Sequence, residues 1–265
     1  MGKGVYNQFN RGKNGYNIVS NQFSIHYFFE NINTFHNFIR NVNENCKIGG
    51  YFIGCCYDGN KIFKKLKSKK VGESIFLLND DKTKIWGIEK SYDNDTFPND
   101  SNSLGYKIKV YQESINKTFS EYLVNFKFLT RMMENYGFVP MDDAELETTG
   151  FPSSIGSFSD LFDIMEDELT NKRIRLTNIG NANKMNSAEK EISFLNNYFI
   201  YKKIRNPNAK EIANNFMSKT PEQEEEEGKQ TDLSVDSTIP KILRQVKKYK
   251  KKLTLPSTNI TKKIT

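Results

Sequence analysis

The stretch Asn21-Gln22-Phe23-Ser24-Ile25-His26-Tyr27-Phe28-Phe29-Glu30 brings amide, hydroxyl, imidazole and phenol groups together within a short span. These groups donate and accept hydrogen bonds, and the phenol adds a π-face. Just upstream, Tyr16 to Ser20 is an apolar, β-branched run that reads as a strand. Just downstream, Asn31 to Cys46 carries Phe35, Phe38, Ile39 and Val42 at helical spacing. Polar side chains at the carboxyl end of a strand, ahead of a helix, are where open α/β sheets bind ligands. The stretch is therefore the first candidate site. The chain carries no convincing arrangement of Ser, Cys or Lys for nucleophilic catalysis, so the chemistry would rest on binding and orientation.

The elements that position these residues follow from the pattern. Gly49-Gly50 is expected to end the helix, and Tyr51 to Cys56 is a nearly unbroken apolar run of the kind buried on both faces of a parallel sheet. Asp58-Gly59-Asn60 caps a short helix carrying Ile62, Phe63 and Leu66. Segments 73–78, 84–90 and 106–111 read as strands of an inserted antiparallel unit, and 91–103 as a surface loop. Ser120 to Tyr136 is expected to form one long amphipathic helix closed by Gly137, with Leu123, Phe126, Leu129, Met132 and Met133 on its apolar side. Phe138-Val139-Pro140 begins a strand, 154–168 looks helical, and Phe194 to Tyr201 makes a last aromatic strand. Beyond Lys203 come the acidic run Glu224 to Glu227 and the basic run Lys247 to Lys252, and blocks of like charge seldom fold alone. The reading is an α/β domain over 1–203 and a charged, disordered tail over 204–265.

Composition narrows the function. A net charge of +7 in 265 residues suggests an acidic partner, nucleic acid first, although Lys247 to Lys252 could equally be a solvated tail. Cys46, Cys55 and Cys56 are an odd number without disulfide or zinc spacing, which suits a reducing compartment. No apolar run reaches transmembrane length and the N-terminus lacks a signal-peptide pattern, so the chain reads as intracellular.

Three motifs resemble the messenger-RNA cap guanine-N7 methyltransferases. Gln22 to Glu30 is similar to that family's QF-x-x-HY-x-FE signature, Gly49-Gly50-Tyr51-Phe52-Ile53-Gly54 to its GGYFIG strand, and Glu121-Tyr122-Leu123-Val124 to its E-[YF]-L-V helix start. Asp58-Gly59 and the opening Gly2-Lys3-Gly4-Val5-Tyr6 look most like the multidomain capping enzymes of large DNA viruses. The resemblance covers roughly residues 1–203. It implies a Rossmann-like class I methyltransferase fold, S-adenosylmethionine as methyl donor, 5'-capped RNA as partner, and action in infected-cell cytoplasm or a virion. By resemblance, Gln22 and Ser24 line the donor side, Tyr27 sits between donor and guanine, and His26 and Glu121 contact the cap guanine. A tyrosine of the last strand contacts the cap in relatives; Tyr198 fits by residue type, whereas a gap-free alignment puts Asn196 there. Each residue also has a plainer reading. His26 could be a buried structural histidine, Tyr27 core packing, Gln22 and Ser24 caps at a strand end, and Glu121 a first-turn glutamate facing a helix dipole.

The departures matter as much. Relatives place a glycine-rich loop after the first sheet strand and an acidic residue after the second, and this sequence contains no GxGxG run. The chain thus looks like the C-terminal part of the fold, without its donor-binding strands. Strand 16–22 would be left with an unpaired edge, and the isolated polypeptide is expected to transfer no methyl group. The other readings are a non-catalytic cap- or RNA-binding subunit, and a methyltransferase acting on a small molecule.

Overall fold

The computed structural model describes residues 12–218. Strand β1 (Tyr16–Gln22) leads through a 3-10 helix (Ile25–Phe29) into helix α1 (Ile32–Asn45), and then strand β2 (Cys46–Tyr57) runs parallel to β1. Helix α1 starts where the Asn31 side chain accepts the Asn33 and Thr34 amides and the Thr34 hydroxyl accepts the Asn31 amide, a reciprocal cap. The helix does not end at the glycine pair. It stops at Asn45, Cys46 is already extended, and the Lys203 ammonium takes up the Asn43 and Cys46 carbonyls at 2.6 and 2.9 Å. Gly49 and Gly50 lie inside β2, where the pairing jumps from Tyr16–Cys46 to Ile18–Tyr51. They supply the left-handed backbone (Gly49 φ +78) and the close approach that this bulge requires. A glycine pair permits a cap or a bulge equally, and the sheet partner decides which.

Beyond β2, helix α2 (Gly59–Lys65) is capped by Asp58 as expected, burying Ile62. The inserted unit is a four-stranded antiparallel sheet of β3 (Ser74–Leu78), β4 (Lys84–Lys90), β5 (Lys107–Gln112) and β6 (Lys117–Tyr122). Trp86, Ile88, Ile108, Val110 and Leu123 form its core with Ile62 and Leu66. The expected helix from Ser120 is corrected here. Residues 117–122 pair with β5, the Leu123 amide bonds the Tyr106 carbonyl, and helix α3 (Phe126–Asn135) begins only after Asn125 caps Lys127 and Phe128. Leu123 fits the helical apolar spacing by coincidence, because it belongs to the core of the sheet rather than to the face of α3.

Strand β7 (Phe138–Pro140) follows Gly137, whose φ of +83 turns the chain out of α3. Helix α4 (Asp143–Thr149) comes next; the expected helix over 154–168 divides into strand β8 (Ile155–Ser157) and helix α5 (Phe158–Thr170). Helix α6 (Ser187–Ser193) precedes strand β9 (Asn196–Lys203), which opens at Asn196 rather than at Phe194. The main sheet has the order β1-β2-β9-β7, with β8 also on β9, and β9 runs antiparallel to β2. Thus β2 is parallel to one neighbour only. Phe29, Phe35, Phe52, Phe128, Phe199 and Tyr201 fill the core against α1 and α3. Helix α7 (Ala209–Ser218) continues the packed unit past residue 203, burying Ala209 and Ala213 and stacking Phe216 on His36. The charge runs at 224–227 and 247–252 lie outside the described residues. Strand β1 stands at the sheet edge with Tyr16 and Ile18 51% and 58% exposed.

The β1–β2–β9 register is tested by two glycines. A Cβ at Gly54 would run into the Asn21 carbonyl and the Phe199 ring, whereas one at Gly49 meets nothing within 4 Å. Gly54→Ala is expected to cost about 3 kcal/mol by overpacking, and Gly49→Ala about 1 kcal/mol for its left-handed backbone. Urea-unfolding midpoints measure both, and the opposite ranking would contradict this register.

Candidate functional site

A cavity of about 630 Å³ opens where the end of β1, the end of β2, the inserted sheet and α6 meet. The 3-10 helix sets its first wall. Ile25 and Phe29 are fully buried in the main core and pin this helix, so His26 between them faces the cavity. Phe23 enters the helix with φ +51, its amide held by the Cys55 carbonyl at 2.8 Å. Tyr27 is 44% exposed at the mouth, its ring 4.2 Å from that of His26 and tilted by 59°. Glu121 comes from β6, opposite Ile108, and Asn196 from the first position of β9, opposite Tyr57. Trp86 of β4 donates its indole N–H to the Tyr57 hydroxyl at 3.0 Å, closing the floor.

The electrostatics of this wall are unusual. His26 Nε2 and Glu121 Oε2 lie 3.7 Å apart, close enough for an ion pair, yet neither atom makes a hydrogen bond. Burial pushes the imidazole down from 6.5 to about 4 and the carboxyl up from 4.5 to about 7. Both shifts favour the neutral forms, so we read a neutral imidazole facing a carboxyl that titrates near neutrality, rather than a formed ion pair. Burial, then the Glu121 charge, raises the Tyr27 phenol. The Asn196 amide nitrogen donates to the Ile192 and Ser193 carbonyls, which leaves its Oδ1 unpaired. Both His26 ring nitrogens, Glu121 Oε2 and Asn196 Oδ1 are therefore buried, unpartnered and on residues that line one cavity. Native proteins pair almost all such atoms with protein, water or ligand, so a cluster of four makes this cavity the candidate binding site.

The structure thus brings His26, Tyr27, Glu121 and Asn196 together. It holds Glu121 on a strand, so the helix-dipole reading of that residue does not apply. Tyr198 is separated from them: its hydroxyl donates to the Ser153 carbonyl at 3.0 Å and it packs with Cys55, Met141 and Ile200. Gln22 and Ser24 do not line the cavity either. Sequence reasoning missed Tyr57, Trp86 and Phe119; the alternation Trp86, Ile88, Lys90 within 84–90 was the available signal for the second of these.

Residues 2–204 match the model of the mRNA (guanine-N(7))-methyltransferase domain. The chain belongs to this family. It is 28% identical over 214 residues to a probable mRNA-capping enzyme of Acanthamoeba polyphaga mimivirus, covering 75% of this chain and 18% of the viral protein. It is 30% identical over 121 residues to the mRNA cap guanine-N(7) methyltransferase of Drosophila melanogaster, covering 46% and 26%. The Candida glabrata enzyme of the same name is 25% identical over 199 residues, covering 71% and 43%. The chain thus spans less than half the length of each of these relatives. Among solved structures it resembles an S-adenosylmethionine-dependent methyltransferase from Clostridium acetobutylicum (14% identity, TM-score 0.32, 48% and 49% of the two chains). It also resembles the CcbJ methyltransferase from Streptomyces caelestis (11%, TM-score 0.36, 73% and 59%). Overlaps this loose add nothing to the family match.

The family implies a methyl donor, and Gln22 and Ser24, the residues that resemblance assigns to its side, retain hydrogen-bonding capacity for one. Gln22 accepts from the Cys55 thiol at 3.0 Å and donates to the Ser20 hydroxyl at 2.9 Å, and Ser24 donates to Asn21 at 3.1 Å. These bonds use part of each group's capacity beside the sheet edge: Gln22 keeps a second amide N–H and a second carbonyl lone pair, and the Ser24 hydroxyl can still accept. Among the described residues, four of the seven buried side-chain polar atoms without a partner belong to His26, Glu121 and Asn196.

The Glu121 environment sets a pH signature. Folding holds this carboxyl protonated to higher pH than the unfolded chain does, so its ionisation weakens the fold progressively from about pH 4.5 to about 7. Glu121→Gln removes that loss. The variant is expected to exceed the parent in stability by about 3 kcal/mol at pH 8, with most of the gain gone by pH 5. Urea midpoints at the two pH values measure this, and a pH-independent difference would show that Glu121 does not titrate in this range.

Proposed function

We propose that this chain supplies the cap-guanine side of an mRNA cap N7-methyltransferase, with His26, Tyr27, Glu121 and Asn196 as the guanine-binding set. The observation that carries the reading is the group of unpartnered polar atoms on His26, Glu121 and Asn196, in a chain of this family. Guanine offers N1–H and N2–H donors beside the O6 acceptor. An ionised Glu121 accepts from the donors, and a neutral His26 N–H donates to O6. Glu121 titrating near neutrality can ionise on meeting a donor edge, whereas an empty cavity favours its protonated form.

Guanine N7 carries a lone pair and no proton, so methylation there needs no general base and no nucleophilic residue. Bound S-adenosylmethionine would supply the methyl group. This chain's contribution is to fix the plane and direction of the purine, which is catalysis by orientation. N7-methylation leaves a positive charge on the purine. The carboxylate of Glu121 and the π-face of Tyr27 both interact better with a cationic base than with a neutral one. The reading extends to the exposed edge of β1, which we assign to a donor-binding segment that completes the sheet by strand addition.

Two measurements test this. Titrating the protein with GTP at pH 8 should give saturable binding that Glu121→Ala weakens at least tenfold, as expected for a buried charged hydrogen bond, and that His26→Ala weakens less; unchanged affinity in both variants would refute the site. Labelled-methyl transfer to capped RNA by the isolated 265-residue chain should stay at background, and robust turnover would overturn the assignment of the donor side to another segment.

A further inference from the structure

The cavity is larger than one purine, and its two ends differ. Its volume is in the range that encloses a drug-sized ligand. The inner end holds His26, Glu121 and Asn196. The outer end is formed by the β5–β6 turn, by Phe119 of β6 and by Ile192 of α6. Phe119 and Glu121 lie two residues apart on the same face of β6, opposite Val110 and Ile108. Strand geometry puts them about 7 Å apart along the strand. Ile115 and Phe119 are 51% and 38% exposed, so the outer end presents an aromatic ring and an aliphatic chain to solvent beside the buried polar end.

The charge of the walls limits what can lie there. Glu113 and Glu189 line the outer end as Glu121 lines the inner one, and none of the described lining residues is Lys or Arg. A cavity walled by carboxylates repels polyphosphate, and it accepts hydrogen bonds from base amino and imino groups. An apolar and acidic outer end therefore suits a second nucleobase, with the phosphates left outside.

Resting on the guanine reading, we propose that the outer end is a subsite for the base of the nucleotide across the triphosphate bridge, the first nucleotide of the transcript. Phe119 stacks on that base, and Ile115 and Ile192 cover it. The site would thereby distinguish a cap already joined to RNA from free GTP, using contact with the base rather than with phosphate.

Trp86, the chain's single tryptophan, lines the cavity, so its fluorescence reports occupancy. Titrations of the full chain with GTP, with the dinucleotide cap GpppA and with ApppA measure the two subsites separately. GpppA is expected to bind at least about fivefold tighter than GTP, the lower end of what a stacked base contributes, and ApppA weaker than both. Phe119→Ala should bring the GpppA-to-GTP ratio toward one, and Phe119→Tyr should restore it. Equal affinity for GTP and GpppA in the parent overturns the proposal, as does an equal loss for both ligands in Phe119→Ala. Those results would leave the guanine site standing. If neither compound perturbs Trp86, the guanine reading fails and the second subsite falls with it.

Discussion

The placement of the site depends on one constraint: polar atoms of three residues are taken out of water without being given partners. Desolvating an unpaired imidazole, carboxyl or amide costs free energy. The arrangement persists because the groups sit on elements fixed for other reasons. His26 is carried on a single 3-10 turn anchored by Ile25 and Phe29. Glu121 is locked by its pairing with β5, and Asn196 by its pairing with β2 and its bonds to the end of α6. The backbone position of each is thus set by bonds and packing that do not involve its own unpartnered atoms. The cost of desolvation is stored as readiness for a ligand, as expected of a preorganised site.

The two sheets divide the work. The main sheet carries the polar strand end and the aromatic core, and the inserted antiparallel sheet brings Glu121, Trp86 and Phe119 across from it. Strand β2 joins the two: its bulge at Gly49-Gly50 adjusts its register on β1, and its end at Tyr57 hydrogen-bonds the insertion through Trp86. At the other end of β2, Lys203, buried and bonded to the carbonyls at the end of α1, ties β9 to that helix. The cavity therefore depends on the insertion docking correctly, which the Tyr122 hydroxyl, donating to the Glu30 carboxylate at 2.8 Å, and the Arg131 guanidinium, donating to the Asn99 carbonyl at 3.0 Å, also hold.

Much of this was legible in the sequence wherever a local rule decided the outcome. The strand at 16–22, the capped helix from Asn31, the Asp58 cap and the turn at Gly137 follow from side chains acting on their own backbone neighbours. The motif around His26 and Tyr27 forms one wall of the cavity. The errors fell where a distant partner chose between two local possibilities. Leu123 and Phe126 continue a helical spacing, yet hydrogen bonding to β5 made 117–122 a strand. Gly49-Gly50 could end a helix or admit a bulge, and pairing with β1 settled it. The helical pattern over 154–168 hid the short strand β8, which exists because β9 offers it an edge.

The sequence by itself determined the family, through motif residues whose identities need no coordinates. Only the tertiary structure decided which polar residues meet. It separated Tyr198, held under Ser153, from Asn196, whose carbonyl oxygen is left unpaired in the cavity. It also set the charge state of the site. A glutamate and a histidine have ordinary pKa values in a sequence, and burial from two different sheets moves them in opposite directions toward neutrality. That shift depends on how much water the surrounding walls exclude, which no local pattern of residues encodes.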